Sequence, residues 1–196
     1  DYVARIGAFL AELDGPVCIS GHSMGAMIAL QLASENPTKV AAVAALNAIF
    51  RRTDEATAAV QSRAAALDLN KAANAGPTLE RWFGRDPAST LVAARDACSS
   101  WLTSLDPRGY ATAYQIFAHQ DGPTVRTLNG LRMPCLFMTG SGDLNSTPAM
   151  SQRMAALAPK GRVSVVPDAA HMMPMTHPDA VTDALIQTFT PQKART

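Results

Sequence analysis

The stretch Val17-Cys18-Ile19-Ser20-Gly21-His22-Ser23-Met24-Gly25-Ala26 decides how the chain is read. A short apolar run ends in Gly-x-Ser-x-Gly, and a dense apolar stretch, Met27 to Ala33, follows at once. Strand, sharp turn and helix are the context that makes this pentapeptide a nucleophile elbow rather than a chance glycine-rich loop. Gly21 and Gly25 are expected because a Cβ at either place would crowd the opposing backbone. Ser23 is expected in a strained conformation, with its hydroxyl standing above the sheet. The N–H of Met24 points at the same spot and is the candidate oxyanion-hole donor.

On the N-terminal side, residues 1 to 13 place Val3, Ile6, Phe9, Leu10 and Leu13 at helical spacing, and Gly15-Pro16 stops that helix. On the other side, Met24 to Asn36 reads as a helix that is apolar nearly all round and ends before Pro37. Val40 to Leu46 is a continuous apolar run, which favours a parallel strand covered on both faces.

From about Ala48 to Asn129 no strand pattern occurs. Helices are predicted over Asp54–Leu69, Thr78–Phe83, Pro87–Leu102 and Pro107–Ala118. This 48–129 segment reads as a helical lid inserted into an α/β core made of 1–47 and 130–196. Most of its aromatic residues are expected in the lid's own core. Trp82, Phe83 and Tyr110 are the candidate substrate-contacting rings.

Strands alternate with helices again from Pro134. Pro134 to Thr139 is a strand, and a loop with Gly140, Gly142 and Asp143 follows. Thr147 caps a helix with Pro148 at its first position. Arg162 to Val166 is a strand, His171 stands in the next loop, and Pro178 to Phe189 is the last helix. Four strands with helical crossovers make an open parallel α/β sheet. In such sheets chemistry gathers at the carboxyl ends of the strands.

Ser23, Asp143 and His171 each lie just past a strand end. A serine hydroxyl needs a base to take its proton, and an imidazole, titrating near ~6.5, suits that task. The imidazole in turn needs a carboxylate to fix its tautomer. Each role has a rival. Asp143 is also a natural turn residue after Gly142. The other place for the acid follows Leu46, where Asn47 stands and no carboxylate comes before Asp54. His177 precedes Pro178 and is expected to cap the last helix, and His119 ends a lid helix. His22 is aimed away from Ser23 by adjacency along the backbone. His171, directly after a strand, is the preferred base.

Composition bounds the rest. The chain has 196 residues, 47% of them hydrophobic, enough for a globular domain with a sizeable core. A net charge of +1 gives no footprint for nucleic acid or an acidic membrane surface. The three cysteines, Cys18, Cys98 and Cys135, show no metal spacing and leave one out of any disulfide scheme. Cys18 and Cys135 lie in apolar runs and are expected to be buried inert thiols. This cysteine usage points to a reducing, cytoplasmic compartment.

Gly21-His22-Ser23-Met24-Gly25, Gly140-Ser141-Gly142-Asp143 and Asp168-Ala169-Ala170-His171 resemble the three catalytic blocks of the α/β-hydrolase fold, in its chain order of Ser, Asp and His. Arg81-Trp82-Phe83 and Asp106 to Ala111 resemble lid segments of 3-oxoadipate enol-lactonases. Ala26 and Ala170 depart from glycines common in the family, without removing a catalytic group. The resemblance implies a serine hydrolase that cleaves a small ester or lactone through an acyl-enzyme, with no metal or organic cofactor. It leaves open a carbon–carbon bond hydrolase, a cofactor-free haloperoxidase, an acyltransferase, a non-catalytic receptor of the same fold, and a homodimer. The expected substrate is small and enclosed by apolar walls with few polar contacts, with enol-lactones the leading candidates. The resemblance also implies opening strands and a His-Gly loop ahead of Asp1, the loop carrying a second oxyanion donor. The expectation is therefore that residues 1–196 are part of a longer enzyme, and alone are poorly soluble and close to inactive.

Overall fold

The computed structural model describes residues 2–72 and 74–190. Its sheet consists of β1 (Val17–His22), β2 (Val40–Leu46), β3 (Cys135–Gly140) and β4 (Gly161–Val166). They lie side by side in that order, and every neighbouring pair is parallel. Parallel pairing cannot be closed by a tight turn, so each strand is followed by helical crossover chain. Helices α1 (Tyr2–Glu12) and α2 (Met24–Glu35) flank β1. Between β2 and β3 come α3 (Asp54–Ala65), α4 (Gly76–Phe83), α5 (Val92–Ser104), α6 (Pro107–Ala118) and α7 (Val125–Gly130). Helix α8 (Pro148–Leu157) joins β3 to β4, and α9 (Met173–Thr176) and α10 (Pro178–Phe189) follow β4.

The continuous apolar runs have a direct structural cause. Val43 and Ala45 of β2, with Cys135 and Phe137 of β3, pack into a cluster shared with Leu30 of α2, Leu128 of α7 and Met154 of α8. Their neighbours Ala44, Leu46, Leu136 and Met138 point to the other face, against Met173 and Val181. Side chains alternate across a strand, so both parities must be apolar when both faces are covered. Burial of a side chain such as Phe137 contributes roughly 1.5–3 kcal/mol.

Strand β1 ends the order and, among the described residues, pairs only with β2. Its Val17 and Ile19 pack on the main core, while Cys18 and Ser20 are exposed. The expected burial of Cys18 is therefore wrong: hydropathy placed it in an apolar run, but its side of the strand is uncovered. Cys135 is buried as expected, and burial pushes its thiol up to about 12.

The segment between β2 and β3 begins and ends in the core. Ala48, Ile49 and Phe50 at one end and Leu128 at the other belong to the main cluster. Between them, Leu79, Phe83, Cys98 and Leu102 form a separate small core, and Val60, Ala64 and Ala118 another. Helices α3 and α6 start on Thr53 and Asp106, whose side chains accept from the Ala56 and Gly109 N–H groups. Helix α3 ends at Ala65, short of the predicted Leu69. The short helices α7 and α9 carry too few turns to show a periodicity.

Candidate active site

The elbow is built at the junction of β1 and α2. Ser23 has φ 56° and ψ −119°, a backbone state that costs a non-glycine residue roughly 1–3 kcal/mol. Gly21 makes the turn feasible, because a Cβ there would lie 2.1 Å from the Gly25 carbonyl oxygen. Gly25 itself does not meet the expectation: a Cβ on it would touch nothing within 4 Å. The crowding is one-sided, with the Gly25 backbone pressing on Gly21. Met24 is the first residue of α2, where a helix leaves its N–H groups without intrahelical acceptors.

Two loops at the carboxyl end of the sheet are tied to each other. The Ser141 and Gly142 N–H groups donate to the carbonyls of Val166 and Ala169, each at 2.9 Å, and the Asp168 N–H donates to Ser141 Oγ at 2.9 Å. Gly140 permits this approach, since a Cβ there would fall 2.1 Å from the Ala169 carbonyl oxygen. The result sets Asp143 against His171. His171 Nδ1 donates to Asp143 Oδ2 at 2.8 Å, and its Nε2 lies 3.1 Å from Ser23 Oγ. The three residues singled out from the sequence thus form one hydrogen-bonded line.

Asp143 is buried and fully engaged. Its Oδ1 accepts from the N–H groups of Asn145 and Ser146, and its Oδ2 from Asn47 Nδ2 as well as from His171. Burial pushes its carboxyl up. The hydrogen bond and charge of His171, with Asn47 and the Asn145 N–H, outweigh that and hold it below the ordinary carboxylate value. As a neutral amide, Asn47 does not stand out in the sequence as a site residue. It is wholly buried, and its carbonyl accepts from Ser146 Oγ at 2.7 Å. The available signal was a polar residue ending a fully apolar strand.

The other histidines are apart from this line or beneath it. His119 is exposed at the end of α6, and His177 stands at the start of α10 without a side-chain cap bond, its Nδ1 on Thr176 Oγ1. His22 has a role the sequence did not show. Its Nε2 is 2.8 Å from the His171 carbonyl oxygen, so Nε2 carries the proton and donates. Burial and the neighbouring His171 lower its pKa from 6.5 to about 4, against smaller raising effects of that hydrogen bond and of Asp143. The folded chain therefore binds this proton less readily than the unfolded chain. Stability should fall as pH drops from about 6.5 to 4, by about 3 kcal/mol in total, and this loss should level off below pH 4. Asp143, held below its ordinary value, adds its own loss only below about pH 4. Denaturant unfolding of His22→Asn between pH 7 and 4 should show a shallower decline than wild type. Identical slopes would remove His22 as their source.

A cavity of about 860 Å³ opens onto Ser23, Met24 and His171. Trp82 and Tyr110 line it, and the Trp82 ring stacks on His171 at 5.8 Å and 29°. Phe83 does not line it. It is buried in the small helical core with Leu79, Cys98 and Leu102, so its expected place in the substrate site is corrected. Successive residues on α4 point about 100° apart, and the step from Trp82 to Phe83 carries the ring from the cavity into the helical core. The walls are mainly apolar, as expected, but the polar groups are not few, since Arg51, Arg52, Arg63, Arg81 and Arg153 all reach the cavity. Among the described residues no group of three or more His, Cys, Asp or Glu has metal-holding geometry, and no helix is long and apolar enough to cross a membrane.

Known proteins match this chain over most of its length. Residues 1–184 match the model of the Alpha/beta hydrolase family. The (E)-2-((N-methylformamido)methylene)succinate hydrolase of Acinetobacter baylyi is 35% identical over 171 residues. That match covers 87% of this chain but only 64% of the relative, so the chain spans less than two thirds of the relative's length. The enol-lactonase of Burkholderia xenovorans superposes with a TM-score of 0.78 at 22% identity, covering 96% of this chain and 73% of the other. A thermophilic esterase of Thermogutta terrifontis superposes with a TM-score of 0.74 at 24% identity, covering 96% and 71%. Strand order, elbow and the family match over residues 1–184 agree, and the chain belongs to the alpha/beta hydrolase family.

Proposed function

We propose that the protein is a serine hydrolase that cleaves a small ester or lactone through an acyl-enzyme. The observation that carries this reading is the line Ser23 Oγ–His171–Asp143, with separations of 3.1 and 2.8 Å, at the mouth of a cavity. Ser23 Oγ attacks the carbonyl carbon while His171 Nε2 takes its proton. The Met24 N–H donates to the oxyanion. The intermediate collapses, the carbon–oxygen bond to the leaving group breaks, and His171 returns the proton to that oxygen. Water, deprotonated by His171, then attacks the acyl-enzyme and frees Ser23. The helices between β2 and β3 act as the lid, with Trp82 and Tyr110 walling the substrate. A second reading is favoured by the 35% identity to the Acinetobacter hydrolase: the same groups would act on a substituted methylenesuccinate.

A fluorophosphonate probe tests the common step. Ser23 should be labelled stoichiometrically and faster than any other serine. Absence of a Ser23 adduct, in protein shown to be folded, would remove the nucleophile and the proposal with it.

A further inference from the structure

The cavity wall carries an imbalance of charge. Five arginines line it, and among the described residues no aspartate or glutamate does. Three of the five have other work or an outer position. Arg52 donates to the carbonyls of Gln120 and Phe117 and lies over the Phe117 ring at 4.6 Å. Arg153 donates to the Phe50 and Arg51 carbonyls, and Arg51 is exposed.

Arg63 of α3 and Arg81 of α4 differ. Both are half-buried. Arg63 Nε donates to the Tyr114 hydroxyl at 3.2 Å, and Arg81 donates one N–H to Thr78 Oγ1 at 2.9 Å. A guanidinium carries five N–H donors, so one neutral acceptor each leaves most of that capacity without a protein acceptor on a side chain that lines the cavity. The single ion pair among the described residues is Asp143 with His171, so neither arginine has a carboxylate. Arg81 also feels its neighbour: burial, and then the charge of Arg63, lowers its pKa. Two like charges on a part-desolvated wall are unfavourable, and a bound anion would relieve both. Their position ties them to the chemistry. Arg81 is followed by Trp82, whose ring stacks on His171, so α4 supplies both the ring over the base and a cation on the same cavity wall.

We propose that Arg63 and Arg81 form a subsite for a carboxylate of the substrate, so that the molecule cleaved at Ser23 is an anion carrying a free carboxylate beside its scissile bond. This assignment of substrate class rests on the serine-hydrolase reading, while the anion subsite itself does not. Planar guanidinium forks match a carboxylate with paired N–H···O bonds, which lysines could not reproduce.

Two measurements separate the subsite from the catalysis. The first compares kcat/KM for mono-4-nitrophenyl succinate, a free carboxylate, with that for its neutral methyl ester. Wild type should favour the anion by about 10- to 100-fold, and added salt should reduce the preference. Arg63→Met and Arg81→Met should each bring the ratio towards one, and Arg81→Lys should retain part of it. A wild-type ratio near one, or a ratio untouched by both methionine variants, would overturn the subsite even with hydrolysis intact. The second measures binding of succinate by calorimetry to Ser23→Ala protein, with inorganic phosphate as competitor. Succinate should bind, and should bind at least tenfold more weakly after the further change Arg63→Met or Arg81→Met. Binding through these arginines by a wild-type protein that cleaves neither ester would keep the subsite and end the hydrolase reading. Tighter binding of phosphate than succinate would overturn the carboxylate assignment. Loss of both binding and cleavage in folded protein would end both.

Discussion

Ser23→Ala should lower kcat by about 10⁶, as losses at serine-triad nucleophiles do, with little change in thermal stability. The size of the loss follows from the route, since no other group in the line can form the acyl bond. His171 Nε2 faces the Ser23 hydroxyl at 3.1 Å. The stability expectation follows from the backbone. Ser23 Oγ meets one partner, a hydrogen bond worth about 1 kcal/mol, and alanine inherits the same positive φ. Ser23→Gly gives the contrast. It should be as inactive as Ser23→Ala, yet gain up to about 1 kcal/mol, because glycine adopts φ 56° without strain. Steady-state kinetics with thermal melts on both variants reads the two effects apart. Ordinary esterase activity in Ser23→Ala would sink the mechanism. Equal melting temperatures in the alanine and glycine variants would show that the elbow stores no strain.

The parts of the fold that were legible are those where one physical cause acts locally. Strands β2 and β3 are buried on both faces, so their apolar runs are unbroken and hard to mistake. The elbow was legible because Gly21 answers a contact only four residues away. Asp143 and His171 follow strands, and the sheet gathers strand ends. What stayed hidden depends on which surface covers which. Cys18 lies in as apolar a run as Cys135, yet the position of β1 at the end of the strand order leaves it exposed. Trp82 and Phe83 are equally aromatic, and only the setting of α4 sends one to the cavity and the other into the helical core. Arg63, Arg81 and Arg153 lie on three different helices, so no window along the chain could show them on one wall. Asn47 carries no charge to single it out along the chain, yet a buried carboxylate needs donors, and Asn47 Nδ2 supplies one to Asp143.

Asp143→Asn should lower kcat by about 10⁴ and also destabilise the protein, two effects with a single cause. Every neighbour of Asp143 is a donor. Oδ1 faces the N–H groups of Asn145 and Ser146, and Oδ2 faces Asn47 Nδ2 and His171 Nδ1. An asparagine amide has one oxygen to offer and two N–H donors with no acceptor waiting. If its oxygen keeps the two backbone N–H groups, its NH₂ confronts Asn47 and His171. The imidazole can answer by moving its proton from Nδ1 to Nε2. It then accepts from the asparagine, and Nε2 carries a hydrogen towards Ser23 where a lone pair is needed. The base is lost through the tautomer, with the ring still in place. Asn47 Nδ2 loses its charged acceptor at 2.8 Å and keeps only the longer contacts to Thr139 Oγ1 and the Ala170 carbonyl, at 3.3 and 3.5 Å, a loss of roughly 1–3 kcal/mol. Loss of kcat should therefore come with a lower melting temperature, and fluorophosphonate labelling of Ser23 should slow in proportion to kcat, since both need the same proton removed. A folded Asp143→Asn protein that kept near-wild-type kcat and labelling would take Asp143 out of the mechanism, and the orientation of His171 would then fall to its backbone tie with His22.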